Sequence, residues 1–330
     1  MEIVHGVHQI KIPLGPGPLS SVNAYFVAGD DGKGMLVDTG WDTPEAFQAL
    51  VDGLRASGAG FQNIDQIVVT HLHPDHYGLA GKVKQLSDAK LCLHETEAAM
   101  IEPRYVNVEW LLQETGRFLS RHGIPSEQMR DLQQASMPAR RFVIPTPPDR
   151  VLKGGEVFKV GGFELEALLT PGHAPGHICL YERNKKLLFS GDLVLLEITP
   201  NVGMHPHSGE NPLADFLKSL ETLLGLEVNF VFPGHGSIFS GLRQRIGELQ
   251  YHHHQRSLYI TSAIRNELKT AYQIAAELKW MNGSVSLREL GILHRRLAVM
   301  ETVAHLQYLA AEGKVKRVVE GEVFKYWAGG

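Results

Sequence analysis

Long apolar runs, cysteine and net charge are all scarce in this chain. No run approaches the ~20 consecutive apolar residues that a bilayer-crossing helix requires, so a helical membrane span is excluded. There are only two cysteines, Cys92 in KLCLHE and Cys179 in HICLYE. Both lie inside apolar, strand-like runs, which favours buried reduced thiols over a disulfide or a thiolate metal site. The net charge of -4 excludes a strongly basic or acidic polyelectrolyte. The opening MEIVHGVHQIKIPL lacks a basic start, an apolar core and a small-residue cleavage site, and reads as a strand; a cytoplasmic location is the expectation. No sequence repeat is visible. What remains is an ordinary globular composition, 43% apolar and 21% charged over 330 residues, enough for one large domain and a smaller one.

The modest charge is unevenly spread. From Tyr251 onward the chain carries 11 basic against 7 acidic residues, so the first 250 residues hold the acidic excess. A basic tail on an acidic body is a faint pointer to a polyanionic partner, and equally describes a solvated face.

Short runs bounded by Gly, Asp or Asn read as strands at YFVAG, GMLVDTG, QIVVTH and KLCLHE, with GLAGKVKQL as a helix between the last two. From about residue 97 to 148 the periodicity turns helical, in VEWLLQETGRFLSRHG and SEQMRDLQQ, and ends in IPTPPD; this reads as a helical insertion. Strands resume in EVFKVGGFELEALLTP, HICLYERNKKLLFSGD and VNFVFPGHG, with a hairpin at NKK. Beyond Gly241 the chain is helical again and closes in KRVVEGEVFKYW, two strands with a turn at Glu320-Gly321. The expectation is a catalytic domain over 1–245 and a winged-helix-like domain over 246–330.

The segment THLHPDH gathers His71, His73, Asp75 and His76 where an apolar run ends. Residues i and i+2 of an extended segment point the same way, so His71 and His73 can face one ion, while Asp75 and His76, at the start of the GLAGKVKQL helix, are displaced toward a second position. Three more ligand-grade side chains follow apolar runs beside glycines: His173 in LLTPGHAPGH, Asp192 in LLFSGDL and His235 in FVFPGHGS. Five histidines and two aspartates suffice for two divalent ions sharing a carboxylate. By contrast, the run His252-His253-His254 lies in a helical stretch, where neighbours point about 100° apart and cannot converge; it reads as a polar helix face.

These motifs, residues 70–76, 171–177, 190–192 and 233–236, with VDTG at 37–40, resemble the metallo-β-lactamase superfamily over roughly residues 1–245. The resemblance implies an α/β fold, a four-layer αββα sandwich, here with a helical insertion and a C-terminal winged-helix-like domain. It implies one metal on His71, His73 and His173, a second on Asp75, His76 and His235, and Asp192 between them. Two such ions lower the pKa of a water and polarise the substrate oxygen, so hydrolysis follows, with Asp75 as the catalytic group that handles the proton. Zinc suits the imidazole-rich set first; iron or manganese accept the same ligands.

Around these ligands, Asp38 can orient an imidazole or cap a turn, His177 reads as a brace for its loop, and Glu197, His205 and His207 can line an entrance. Tyr105 and Trp110 read as core. The expected activity is cleavage of an ester or thioester of a small-molecule or carrier-bound acyl substrate. The alternative is an endoribonuclease or phosphodiesterase whose basic C-terminal domain holds nucleic acid. That domain can instead mediate a homodimer.

Overall fold

The computed structural model describes residues 2–15, 17, 19–281 and 283–329. These form two compact units: residues 1–107, 139–200 and 219–245 in one, and 108–138, 201–218 and 246–330 in the other. The chain passes into the second unit for the last time after residue 245. The stretch read as one insertion over 97–148 is divided, because 108–138 shares its compact unit with the C-terminal region while its two ends belong to the first unit.

The first unit holds two sheets. One has seven strands in sequential order: β1 (Glu2–Val4), β2 (Val7–Pro13), β3 (Ser21–Ala28), β4 (Gly34–Val37), β5 (Ile64–Val68), β6 (Lys90–His94) and β7 (Arg150–Leu152). The first four pair antiparallel and the last four parallel. The opening segment is two strands instead of one, because Gly6, at φ 83°, turns the chain back on itself. The second sheet runs β12 (Phe230–Pro233), β11 (Leu187–Gly191), β10 (Ile178–Glu182), β9 (Phe163–Leu169) and β8 (Val157–Val160).

Strand alternation builds two cores from one sheet. Val22, Ala24 and Phe26 of β3 face a core shared with Leu36, Ile67, Leu91, Leu93 and the helices α1 (Pro44–Ala56) and α3 (Ala80–Leu86). Their neighbours Tyr25 and Val27 face the other way, with Met35, Val37, Val68 and Cys92, onto Phe158, Leu165, Ile178, Leu180, Phe189 and Phe232 of the second sheet. The sheets are therefore packed face to face, and the central strands, buried on both sides, read as unbroken apolar runs. This is the mixed α/β sandwich expected. Tyr25 meets Phe189 and Phe232 edge-on at ring centroid distances of 5.3 and 5.5 Å, and those two rings stack at 4.8 Å.

The helices α5 (Glu109–Arg121) and α6 (Ser126–Gln134) belong to the second unit with α8 (Leu242–Ala263), apart from its first residues, α9 (Ala271–Glu277), α10 (Ile292–Ala311) and the hairpin β15 (Lys316–Glu320) and β16 (Val323–Trp327). A two-residue ribbon, β13 (Lys279–Trp280) with β14 (Val285–Ser286), lies between α9 and α10. One core joins Leu119, Ile124, Leu132, Ile260, Ile274, Val299, Val303 and Tyr326. Within this unit His253 is buried, so the reading of the 252–254 run as a polar face fails for that residue and holds for half-exposed His252 and exposed His254; at 100° per residue the middle member turns inward. Trp110, expected in the core, is 49% exposed. Among the described residues no helix is long and apolar enough to cross a membrane.

Candidate metal centre

The ligand-type side chains lie beyond the ends of strands in the first unit. After β5, Val69 to His73 run as a loop, and Pro74 then starts a four-residue helix, α2 (Pro74–Tyr77), ahead of α3. Asp75 and His76 thus stand on a helix of their own, not on the GLAGKVKQL helix, because proline's fixed φ favours a first helical position. His173 follows β9, Asp192 follows β11, and His235 follows β12.

Their atoms converge. His71 Nε2 lies 2.8 Å from His73 Nδ1, and His173 Nε2 lies 3.0 Å from the same nitrogen. His235 Nε2 is 3.2 Å from Asp75 Oδ2. Asp192 reaches both groups: Oδ2 is 3.7 Å from His173 Nε2 and 3.4 Å from His235 Nε2, and Oδ1 is 3.4 Å from His76 Nε2. Three sets form in which every ligand atom lies within 4.8 Å of the others: His71, His73 and His173; His71, His76 and Asp192; Asp75, His76 and His235. Ligands held ~2.1 Å from a tetrahedral cation stand roughly 3.4 Å apart, close to these spacings.

Hydrogen bonds on the far sides of the rings fix which nitrogen looks inward. His76 Nδ1 donates to Asp38 Oδ2 at 2.8 Å and His235 Nδ1 donates to the Ser21 carbonyl at 2.9 Å, leaving each Nε2 aimed at the centre. His71 Nδ1 lies 3.0 Å from the Thr70 hydroxyl. Asp38 is itself held: it accepts from the Thr70 N–H at 2.8 Å and sits at φ 57°, a left-handed conformation that a non-glycine residue adopts at a cost. Asp38 thus makes both contacts expected of it, one to the His76 imidazole and one to the backbone of the turn at Thr70. Three buried atoms of the centre, His76 Nε2, His235 Nε2 and Asp192 Oδ1, have no hydrogen-bond partner. Polar atoms so buried are costly unless something completes them, and five nitrogens with two carboxylates suit a divalent cation.

Electrostatics divides the histidines. Burial, reinforced by the neighbouring imidazoles, holds His71 and His73 well below the ordinary histidine range, so both are neutral with lone pairs available. Burial also opposes charge on His76 and His235, but Asp192 and the adjacent carboxylates outweigh it, lifting His76 well above that range and His235 to about 10. The same pairing outweighs burial at Asp192 and Asp75, keeping both carboxylates ionised. A cluster so charged is arranged to exchange protons for a cation.

The model of the Metallo-beta-lactamase superfamily matches residues 17–235. The chain belongs to this superfamily. Among its relatives, a Bacillus subtilis protein named probable metallo-hydrolase YqjP is 27% identical over 96% of this chain and 95% of its own length. Gallus gallus acyl-coenzyme A thioesterase MBLAC2 is 30% identical over 70% of this chain and 82% of its own. The crystal structure of the metallo-beta-lactamase family protein TTHA1429 from Thermus thermophilus superposes with a TM-score of 0.84 and 34% identity, covering 99% of this chain and all of that one. The chain is accordingly a metal-dependent hydrolase, and the superfamily fold implies divalent ions at its His/Asp clusters.

Other residues read from the sequence fall as follows. His177 braces its loop: Nδ1 lies 2.9 Å from the Thr170 hydroxyl, and Nε2 accepts the Asp192 N–H at 3.1 Å. It is neutral, since burial takes it down to about 3. Glu197 is exposed and accepts the Ser237 N–H, capping the loop after His235. His205 and His207 belong to the second unit, where their rings stack. Tyr105 is core, as expected, and its hydroxyl donates to the Leu72 carbonyl at 2.6 Å. Asn23 and Tyr25, not singled out from the sequence, donate to the Pro233 carbonyl and hold the loop that carries His235. Both cysteines are free and buried, their thiols pushed up by burial to about 11 for Cys92 and about 12 for Cys179.

Proposed function

We propose that this chain is a dinuclear hydrolase of acyl thioesters or related esters, with one ion on His71, His73 and His173, a second on Asp75, His76 and His235, and Asp192 between them. The observation that carries the reading is the convergence of these seven side chains on one centre, in which three buried polar atoms have no hydrogen-bond partner. Zinc is the first expectation, because imidazole nitrogens predominate. When bound, the pair of ions supplies Lewis acidity toward the substrate carbonyl and a water acidified to near neutral pH.

The chain's own residues do the rest. Asp75, ionised and held against His235, accepts a hydrogen bond from the attacking water and takes its proton. The water oxygen bonds to the acyl carbon, the carbon–sulfur bond breaks, and Asp75 returns the proton to the departing thiolate. Asp38 and the Ser21 carbonyl keep the imidazoles from rotating through this cycle. Preference for a thioester is supported by the relative named as an acyl-coenzyme A thioesterase. We read α9, α10 and the β15–β16 hairpin as a winged-helix-like module, and a cytoplasmic location accords with two reduced buried thiols.

The test is turnover by purified, metal-loaded protein of acyl thioesters, lactones, phosphodiesters and short RNAs, with metal analysis in parallel. Saturable thioester or lactone hydrolysis at two ions per chain is expected. RNA cleavage, with binding that falls steeply as salt is added, overturns the assignment in favour of a nuclease.

A further inference from the structure

We propose that Glu97 is a positioning residue that sets the His71, His73 and His173 group by tying together the two loops that carry it. The inference rests on the two-ion reading above. Glu97 lies on the short helix α4 (Glu95–Ala99), is 1% exposed, and is separate from the seven convergent side chains. Its carboxylate accepts two backbone N–H groups: Oε2 from Leu72 at 2.8 Å and Oε1 from Gly176 at 2.8 Å. Leu72 is the residue between His71 and His73, and Gly176 is three residues beyond His173. One buried carboxylate therefore spans both loops, whose three ligand nitrogens lie only 2.8 and 3.0 Å apart.

The surroundings make this clamp stiff. The Leu72 carbonyl is taken by the Tyr105 hydroxyl, so both polar groups of Leu72 are fixed. At Gly176 a Cβ would lie 2.7 Å from His94 Nδ1 and 2.9 Å from Glu97 Cγ, so only glycine lets the loop reach the carboxylate. The other group, Asp75, His76 and His235, is held by different partners: Asp38 on His76, the Ser21 carbonyl on His235, and Asn23 with Tyr25 on the Pro233 carbonyl. Loss of Glu97 should therefore loosen one ion and spare the other.

Glutamine separates this role from simple filling of space. It matches glutamate in volume but has one acceptor oxygen, so its NH2 meets one of the two N–H groups donor to donor. Titration of metal-free protein with Zn2+, and with Co2+ followed by its visible absorption, should give two tight equivalents for the unaltered chain and for E95Q, an exposed neighbour on the same helix. In E97Q one equivalent should keep its affinity while the other weakens by about 10- to 100-fold, with the Co2+ bands of that site alone altered. Thermal unfolding of each metal-free protein checks that E97Q folds; if it does not, G176A, which pushes on the same carboxylate from the loop side, should show the same selective loss. Fewer than two equivalents in the unaltered chain overturns the two-ion reading itself. Two unchanged equivalents in E97Q and G176A, or equal weakening of both, overturns the positioning role.

Discussion

Two runs of histidine, His71-Leu72-His73 with His76 in the first unit and His252-His253-His254 in the second, look equally rich on paper and end in opposite chemistry. In the first, ring nitrogens converge at about 3 Å and two carboxylates stand among them. In the second, His253 Nδ1 pairs with His305 Nε2 at 3.2 Å, and His305 Nδ1 with the Ser257 hydroxyl at 3.0 Å, so the two rings and a hydroxyl form a buried chain. Burial takes His253 down to about 3 and His305 well below the ordinary range. Among the described residues, neither histidine joins a cluster able to hold a metal. The difference lies in direction and company: histidines mark a cation site where several ring nitrogens meet at one point beside carboxylates, and mark core where they pair with each other and with a hydroxyl away from any carboxylate cluster.

The largest effect is expected from D192A, which removes the carboxylate that reaches both groups. Turnover should fall by more than about 100-fold, beyond what loss of an outer partner costs, and metal content should drop; full activity with two ions per chain removes the assignment of the centre. The second unit is tested by acid. His122 and His253 are each held at about 3 by burial, below the unfolded value near 6.5. Their contribution is complete above pH ~6.5 and is lost as pH falls toward 3, because the unfolded chain takes up protons that the folded one refuses, at about 1.4 kcal/mol per pH unit per histidine. Denaturant titrations from pH 7 to 4 should show this slope in the second unit, and H253L should reduce it by one histidine's share.

A smaller effect is expected from D38N. Its side-chain oxygen can still meet His76, but the negative charge is gone, and metal affinity should fall by about 10- to 100-fold, measured by competition with a chelator. The smallest effect is the paired substitution H252Q and H254Q, which should leave metal content and turnover unchanged. A lost ion there would show that the second run shares the chemistry of the first.

Much of the centre was legible because each ligand follows an apolar run and sits in a short motif, THLHPDH, PGHAPGH, SGD or PGHG, that is local in the chain. The strands were legible for the same reason, through runs such as QIVV and KLCL. What escaped were features defined by distant partners. Glu97 in ETEAAM resembles any helical glutamate until Leu72 and Gly176 arrive from 25 and 79 residues away. The Ser21 carbonyl that orients His235 carries no side-chain signal, and its partner is 214 residues off. The inward turn of His253 depends on His305, 52 residues later. The grouping of 108–138 with the C-terminal region likewise depends on which apolar faces meet, which periodicity cannot say.

The kinds of ligand available, their order along the chain, and the alternation that buries both faces of a central sheet follow from residue type and spacing, which are local properties. Folding across the chain set which nitrogen of each imidazole looks inward, which loops are tied together, and which group of histidines has carboxylates among it. Those outcomes depend on side chains brought within about 3 Å after the chain has folded back across tens to hundreds of residues.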